Sequence, residues 1–319
     1  MRILLVKLSS LGDVIHNFPV ASDIRRAYPD ALIDWVTEAA YAPLVSLHPA
    51  ISRVFPVHLR ALKKVWWRTS NWSRFFADKV PLAAQRYDLI IDAQGLVKSA
   101  LVARWANGPI AGFDHESVRE PYATRWYQNT FNVPAGHHAI ERNRTLAAHA
   151  LGYALPNECN YGLADQWPPN KTAPLSPYVV FLHATSRADK EWPVASWITL
   201  GKMLNRQGLA VMLLSGNAAE FQRGKSIAGA LSNAIAAPMQ SLTETAALLA
   251  NANAVVGVDT GLAHLAVALG RPTVGIYCAT DPAKTGLYGT TRVINLMAPN
   301  PEATITPDAV AAALIEVCA

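Results

Sequence analysis

Residues 2–16 read RILLVKLSSLGDVIH. An apolar run of strand character stops in two serines, a glycine and an aspartate, just where a helical pattern begins. A continuous apolar run is what a strand buried on both faces looks like, and a helix directly behind it is half of a βαβ unit. Gly12 allows tight turning or close approach to a ligand, and the helix start supplies free N–H groups and a positive dipole end. Ser10 or Asp13 could simply cap that helix. The turn lacks G-x-G-x-x-G, so an ordinary nicotinamide or flavin site is not expected, and the Asp13 carboxylate is open to another task.

The same alternation extends outward along the chain. ALIDWV (31–36) and YDLIIDA (87–93) are strand-like, the latter followed by the helical VKSALVARWA (97–106). YVVFLHA (178–184), LAVMLLSG (209–216), NAVVGVD (253–259) and PTVGIY (272–277) repeat the pattern, separated by helical segments. Residues 153–177 hold five prolines and break it. The fold class is therefore α/β, with two doubly wound Rossmann-like domains facing a central cleft. The first covers residues 1–160, a linker 161–177, and the second domain 178–319. A last helix at 307–317 either caps its own domain or crosses back to the first.

The chain has 319 residues, 51% hydrophobic and 16% charged, which fits two well-buried domains and excludes intrinsic disorder. A net charge of +5 suits an anionic ligand or surface without by itself indicating nucleic acid. Cys159, Cys278 and Cys318 are odd in number and widely spaced, so neither a disulfide framework nor a structural metal is expected. No signal peptide and no apolar stretch of about 20 residues is visible, so a cytoplasmic location is expected.

Strand ends in the second half carry anion chemistry. FLHATSRADKEWP (181–193) sets Thr185, Ser186 and Lys190 beyond a strand. In VVGVDTGLAHLAVALGRP (255–272), Asp259, Thr260 and Gly261 lie at a strand-to-helix turn, with His264 one turn on. Taken singly, Thr260 could be a cap, His264 a packed core residue and Glu220 a solvated charge or a ribose ligand. Two anion-suited strand ends on one sheet point to a diphosphate, and hence to a nucleotide-linked ligand. There is no D-x-D pair, so no metal site is expected, and Lys190 with the helix dipoles would offset phosphate charge. Residues 53–79 carry seven Lys or Arg against Asp78 alone, interleaved with Trp66, Trp67, Trp72, Phe75 and Phe76. That mix suits a packed amphipathic element, a membrane interface or an anionic glycolipid.

VKLSSLGDVIH, IDAQGLVKSA, FLHATSRADKEWP and VDTGLAHLAVALGRP, in this order and spacing, resemble the ADP-heptose–lipopolysaccharide heptosyltransferase family over essentially the whole chain. KLSSLGD is more similar to the first heptosyltransferase of the pathway than to the second. The resemblance implies the GT-B architecture and inverting transfer of L-glycero-D-manno-heptose from ADP-heptose to the first Kdo of Kdo2-lipid A, at the cytoplasmic face of the inner membrane. It implies Asp13 as general base, and Thr185, Ser186, Lys190, Glu220, Gln240, Asp259, Thr260, Gly261 and His264 on the donor. Lys7, Ser10, Arg60, Lys63, Lys64, Lys98 and Arg119 would face the anionic acceptor. No cofactor is implied. An epimerase or hydrolase of the same architecture, or a nucleotide-sugar sensor without chemistry, would share the donor residues. The basic aromatic segment argues against a sensor.

Overall fold

The computed structural model describes residues 1–59, 77–164, 177–185, 187–289, 292–298 and 304–319. The chain divides into two compact units, Met1–Gly162 and Leu163–Ala319.

In the first unit, β1 (Arg2–Val6), β2 (Leu32–Glu38), β3 (Ile51–Val57), β4 (Leu89–Asp92), β5 (Ile110–Phe113) and β6 (Asn129–Phe131) pair in the order β3-β2-β1-β4-β5-β6, all parallel. Helices α1 (Leu11–Ile15), α2 (Phe18–Ala27), α3 (Ala42–Val45), α4 (Val97–Ala103) and α5 (Ala139–Leu151) connect or flank the strands. Ile3, Leu4, Leu5 and Val6 of β1 are wholly buried, as a central parallel strand with both faces covered requires.

β3 alternates poorly and contains Pro56, which leaves no N–H for a second neighbour. It lies at the sheet edge, where proline is tolerated. Asp34 in β2 is fully buried, and Arg53 of β3 donates to it at 2.8 Å while the Tyr87 hydroxyl donates at 3.0 Å. Arg53 thus leaves the basic set read from residues 53–79, because its charge is committed to the sheet. Arg60, Lys63 and Lys64, and the aromatics Trp66, Trp67, Trp72, Phe75 and Phe76, lie outside the described residues.

In the second unit, β7 (Tyr178–Leu182), β8 (Ala210–Leu213), β9 (Ala234–Ala236), β10 (Ala254–Val258), β11 (Thr273–Tyr277) and β12 (Val293–Met297) pair in the order β12-β11-β10-β7-β8-β9, again all parallel. Its helices are α6 (Val194–Arg206), α7 (Ala218–Ala228), α8 (Leu242–Ala250), α9 (Gly261–Ala268), α10 (Pro282–Thr285) and α11 (Pro307–Cys318). Of the two places open to the last helix, it takes its own unit. Val310, Ala313, Leu314 and Val317 of α11 enter the core with Phe181, Trp192 and Trp197. The Trp192 indole also donates to the Ile305 carbonyl at 2.8 Å, tying the approach to α11 to the segment before α6.

Counted within each unit, both sheets have the strand order 3-2-1-4-5-6. The order reverses between β1 and β4 in the first and between β7 and β10 in the second. Open α/β sheets bind ligands outside the carboxyl ends of the strands at such a switch point. No helix among the described residues is long and apolar enough to cross a membrane.

Candidate active site

At the first unit's switch point, β1 is followed by Ser10, the N-cap of α1, and by Asp13 in that helix's first turn. Helix α1 begins at Leu11, so Gly12 is its second residue, without the left-handed backbone a special turn glycine shows. Asp13 Oδ2 accepts the Ser10 backbone N–H at 2.8 Å and the Ser10 hydroxyl at 3.1 Å, while Oδ1 faces the Arg119 guanidinium at 3.8 Å. The Asp13 side chain keeps 29% of its surface exposed, enough for one oxygen to meet a ligand. Lys98, on α4, is exposed and donates to the Ser9 hydroxyl at 3.3 Å. Ser10, Asp13, Lys98 and Arg119 therefore share one side-chain neighbourhood at the carboxyl end of β1 and β4.

Lys7 departs from the expectation that it faces an acceptor. It is 5% exposed, and its ammonium donates to the Ala93 carbonyl at 2.5 Å and to Asn143 Oδ1 at 3.4 Å. Burial lowers its pKa to about 8 against the opposing pull of Asp13 and Asp92. Lys7 thus lies below the surface just past β1, bonded to the turn after β4 and to helix α5.

At the second unit's switch point, Lys190 reaches across from the loop after β7 to Asp259 at the end of β10, 2.6 Å away. Thr185 donates through Oγ1 to the Asp259 carbonyl at 2.8 Å. Thr260 holds the N-cap position of α9, yet its side chain makes no cap bond. Gly261 is the first helical residue, and His264, 5% exposed, is packed one turn in. A hydroxyl not spent on its own helix, beside an ammonium and a helix amino end, is donor chemistry suited to phosphate oxygens.

Glu220 lies in the first turn of α7, where Oε2 accepts the Gly216 N–H at 2.7 Å and Oε1 accepts from Asn217 Nδ2 at 2.6 Å. It caps the turn after β8. Gln240 is exposed in the loop between β9 and α8. Ser186 lies outside the described residues.

Sequence reasoning missed three members of these neighbourhoods. Thr280, after β11, donates to Asp259 Oδ2 at 3.0 Å, and its signal was the same one used elsewhere: a hydroxyl just past an apolar strand. Asp92, the last residue of β4, and Gln94, two residues on, are both buried; in the sequence they stand only within the family-like stretch IDAQGLVKSA, with no role assigned to either. Among the described residues, no three His, Cys, Asp or Glu side chains are grouped to hold a metal ion.

A family model for glycosyltransferase family 9 (heptosyltransferase) matches residues 79–308. Lipopolysaccharide heptosyltransferase 1 of Pseudomonas aeruginosa is 46% identical over 298 residues, 92% of this chain and 83% of that protein. The structure of E. coli heptosyltransferase WaaC with ADP superposes with a TM-score of 0.94 at 39% identity, covering 99% of this chain and 100% of that one. The same enzyme with ADP-2-deoxy-2-fluoro heptose gives 0.91 at 39% identity, covering 99% of each chain. With the family model over most of its length and relatives this similar over nearly all of it, the chain belongs to glycosyltransferase family 9, among the lipopolysaccharide heptosyltransferases of the first type.

Proposed function

We propose that this enzyme moves L-glycero-D-manno-heptose from ADP-heptose to the first Kdo of Kdo2-lipid A, with inversion at the anomeric carbon. The observation that carries the reading is the different chemistry of the two switch points. One presents a carboxylate, Asp13, beside cationic Arg119 and Lys98. The other presents an ammonium with hydroxyls at a helix amino end. The relative described above binds ADP and an ADP-heptose analogue, which supports the donor.

In the reaction, the acceptor hydroxyl oxygen forms a bond to the anomeric carbon as the bond from that carbon to the diphosphate oxygen breaks. Asp13 takes the hydroxyl proton, and ADP leaves with the electron pair. Thr185, Ser186, Lys190, Thr260 and Gly261 hold the diphosphate, and Lys190 offsets charge that grows on the leaving group, so it acts more strongly in the transition state than in the ground state. Asp259 aligns Lys190, His264 packs beneath the phosphates, and Glu220 and Gln240 border the nucleoside. Ser10, Lys98 and Arg119 meet the acceptor's carboxylates and phosphates, together with Arg60, Lys63 and Lys64. The same cations make peripheral contact with the anionic cytoplasmic face of the inner membrane.

Incubating purified enzyme with ADP-heptose and Kdo2-lipid A tests this: the lipid should gain the mass of one heptose. Free heptose or an epimer formed from ADP-heptose alone, with no product on the lipid, would replace transfer with hydrolysis or epimerisation.

A further inference from the structure

The segment IDAQG (91–95), the end of β4 and the turn after it, has no part in the chemistry above, yet the turn leading to Asp13 rests on it. Gln94 is 2% exposed. Its Oε1 accepts the backbone N–H of Leu8 at 2.9 Å and of Ser9 at 3.2 Å, and its Nε2 donates to the Ser9 carbonyl at 2.6 Å. One amide side chain thus saturates three backbone groups of the strand-to-helix turn, the last of them directly before Ser10, whose N–H and hydroxyl hold Asp13.

Gln94 is itself fixed. Asp92, wholly buried, accepts the backbone N–H of Gln94 at 2.9 Å and of Gly95 at 3.3 Å on Oδ1. Its Oδ2 accepts the hydroxyls of Ser99 and Tyr127, each at 2.8 Å. Lys7 adds a second tie between the same two loops through Ala93. Trp35 and Thr37 of β2 hold the carbonyls of Lys7 and Leu8 from the other side, and Gln94 takes the Leu8 and Ser9 N–H groups and the Ser9 carbonyl.

We propose that Gln94 is a positioning residue for Asp13: it reads the backbone of residues 8 and 9 and so sets where the carboxylate stands for proton removal. This rests on Asp13 being the general base. A displacement of about 1 Å at a reacting group can cost on the order of 10²-fold in rate without touching substrate affinity. An amide is required, because a side chain of this length must accept two N–H groups and donate to a carbonyl at once.

The test is a double-mutant cycle of Gln94→Met and Asp13→Asn, with turnover and ADP-heptose affinity measured for all four proteins. Gln94→Met should lower kcat by roughly 10- to 100-fold and leave ADP-heptose affinity within about 2-fold. In the Asp13→Asn background it should cost almost nothing further, because a base already absent cannot be misplaced. Equal factors in both backgrounds, or unchanged kcat in Gln94→Met, would overturn the positioning role. Should Gln94→Met not fold, Gln94→Asn, one methylene too short to span the turn, must show the same non-additivity. Full turnover in Asp13→Asn alone would instead remove the base on which the proposal rests, and that arm is read independently of Gln94.

Discussion

At the residue scale, Asp13 and Lys190 differ in what their removal leaves behind. Asp13 is held by Ser10 and partly open to solvent, so Asp13→Asn keeps an oxygen for both Ser10 contacts. The exposed Arg119 contact it weakens contributes little to folding. Turnover should fall roughly 10²- to 10⁴-fold, the usual range for a lost general base, with donor affinity and melting temperature nearly unchanged. A full-speed variant would make Asp13 a cap and nothing more. Lys190→Ala leaves Asp259 with the Thr280 hydroxyl and without its ion-pair partner. It should weaken ADP binding and also lower kcat, since the lost charge serves both ground state and leaving group. Calorimetry with ADP beside steady-state kinetics checks both, and an unaltered ADP affinity would separate Lys190 from the phosphates.

At the element scale, the loops after β4 and β5 are built around Asp92, and the Tyr127 ring that satisfies it packs directly against Gly112 of β5. A Cβ at Gly112 would stand 2.3 Å from the ring. Gly112→Ala must therefore push Tyr127 away from a buried carboxylate that burial already drives upward in pKa. Overpacking of this kind costs about 1–3 kcal/mol, and loss of a partner at a buried acceptor adds to it. The urea midpoint should drop accordingly. Tyr127→Phe should drop it less, because the ring stays and only the hydroxyl is removed. A Gly112→Ala protein as stable as the parent would mean the ring swings aside freely.

The strands that the sequence announces are those with marked apolar runs: β1, β2, β4, β7, β8, β10 and β11. β3 and β12 are masked by polar residues, and β5, β6 and β9 are three or four residues long. Edge and short strands take their stability from a neighbour already in place, so their own residues carry little signal.

At the scale of the whole molecule, each unit buries a neutral imidazole. His48 in the first and His183 in the second are 2% and 0% exposed, and burial lowers both to about 4. The unfolded chain's histidines titrate near 6.5. Between these values the unfolded state binds protons that the folded state refuses, so stability falls as pH drops from about 6.5 to about 4, then levels as far as these groups are concerned. Urea midpoints across that window should show the slope, and His183→Gln should make it shallower. An identical slope in the variant would assign the acid sensitivity to other groups.

What the sequence determined by itself was the alternation of buried strands and helices and the strand-end residues Asp13, Thr185, Lys190, Asp259 and Thr260. Both are local consequences of hydrophobic period and turn chemistry, written within a few residues of one another. Strand order, and with it the switch points, came only with tertiary structure. So did the pairing of Lys190 with Asp259, 69 positions away, the bond of buried Lys7 to Ala93, and the grip of Gln94 on Leu8 and Ser9, 86 and 85 positions off. Such contacts join loops whose proximity depends on which strands lie side by side. The free energy that orders those strands belongs to the packed sheet as a whole and to no single segment of it.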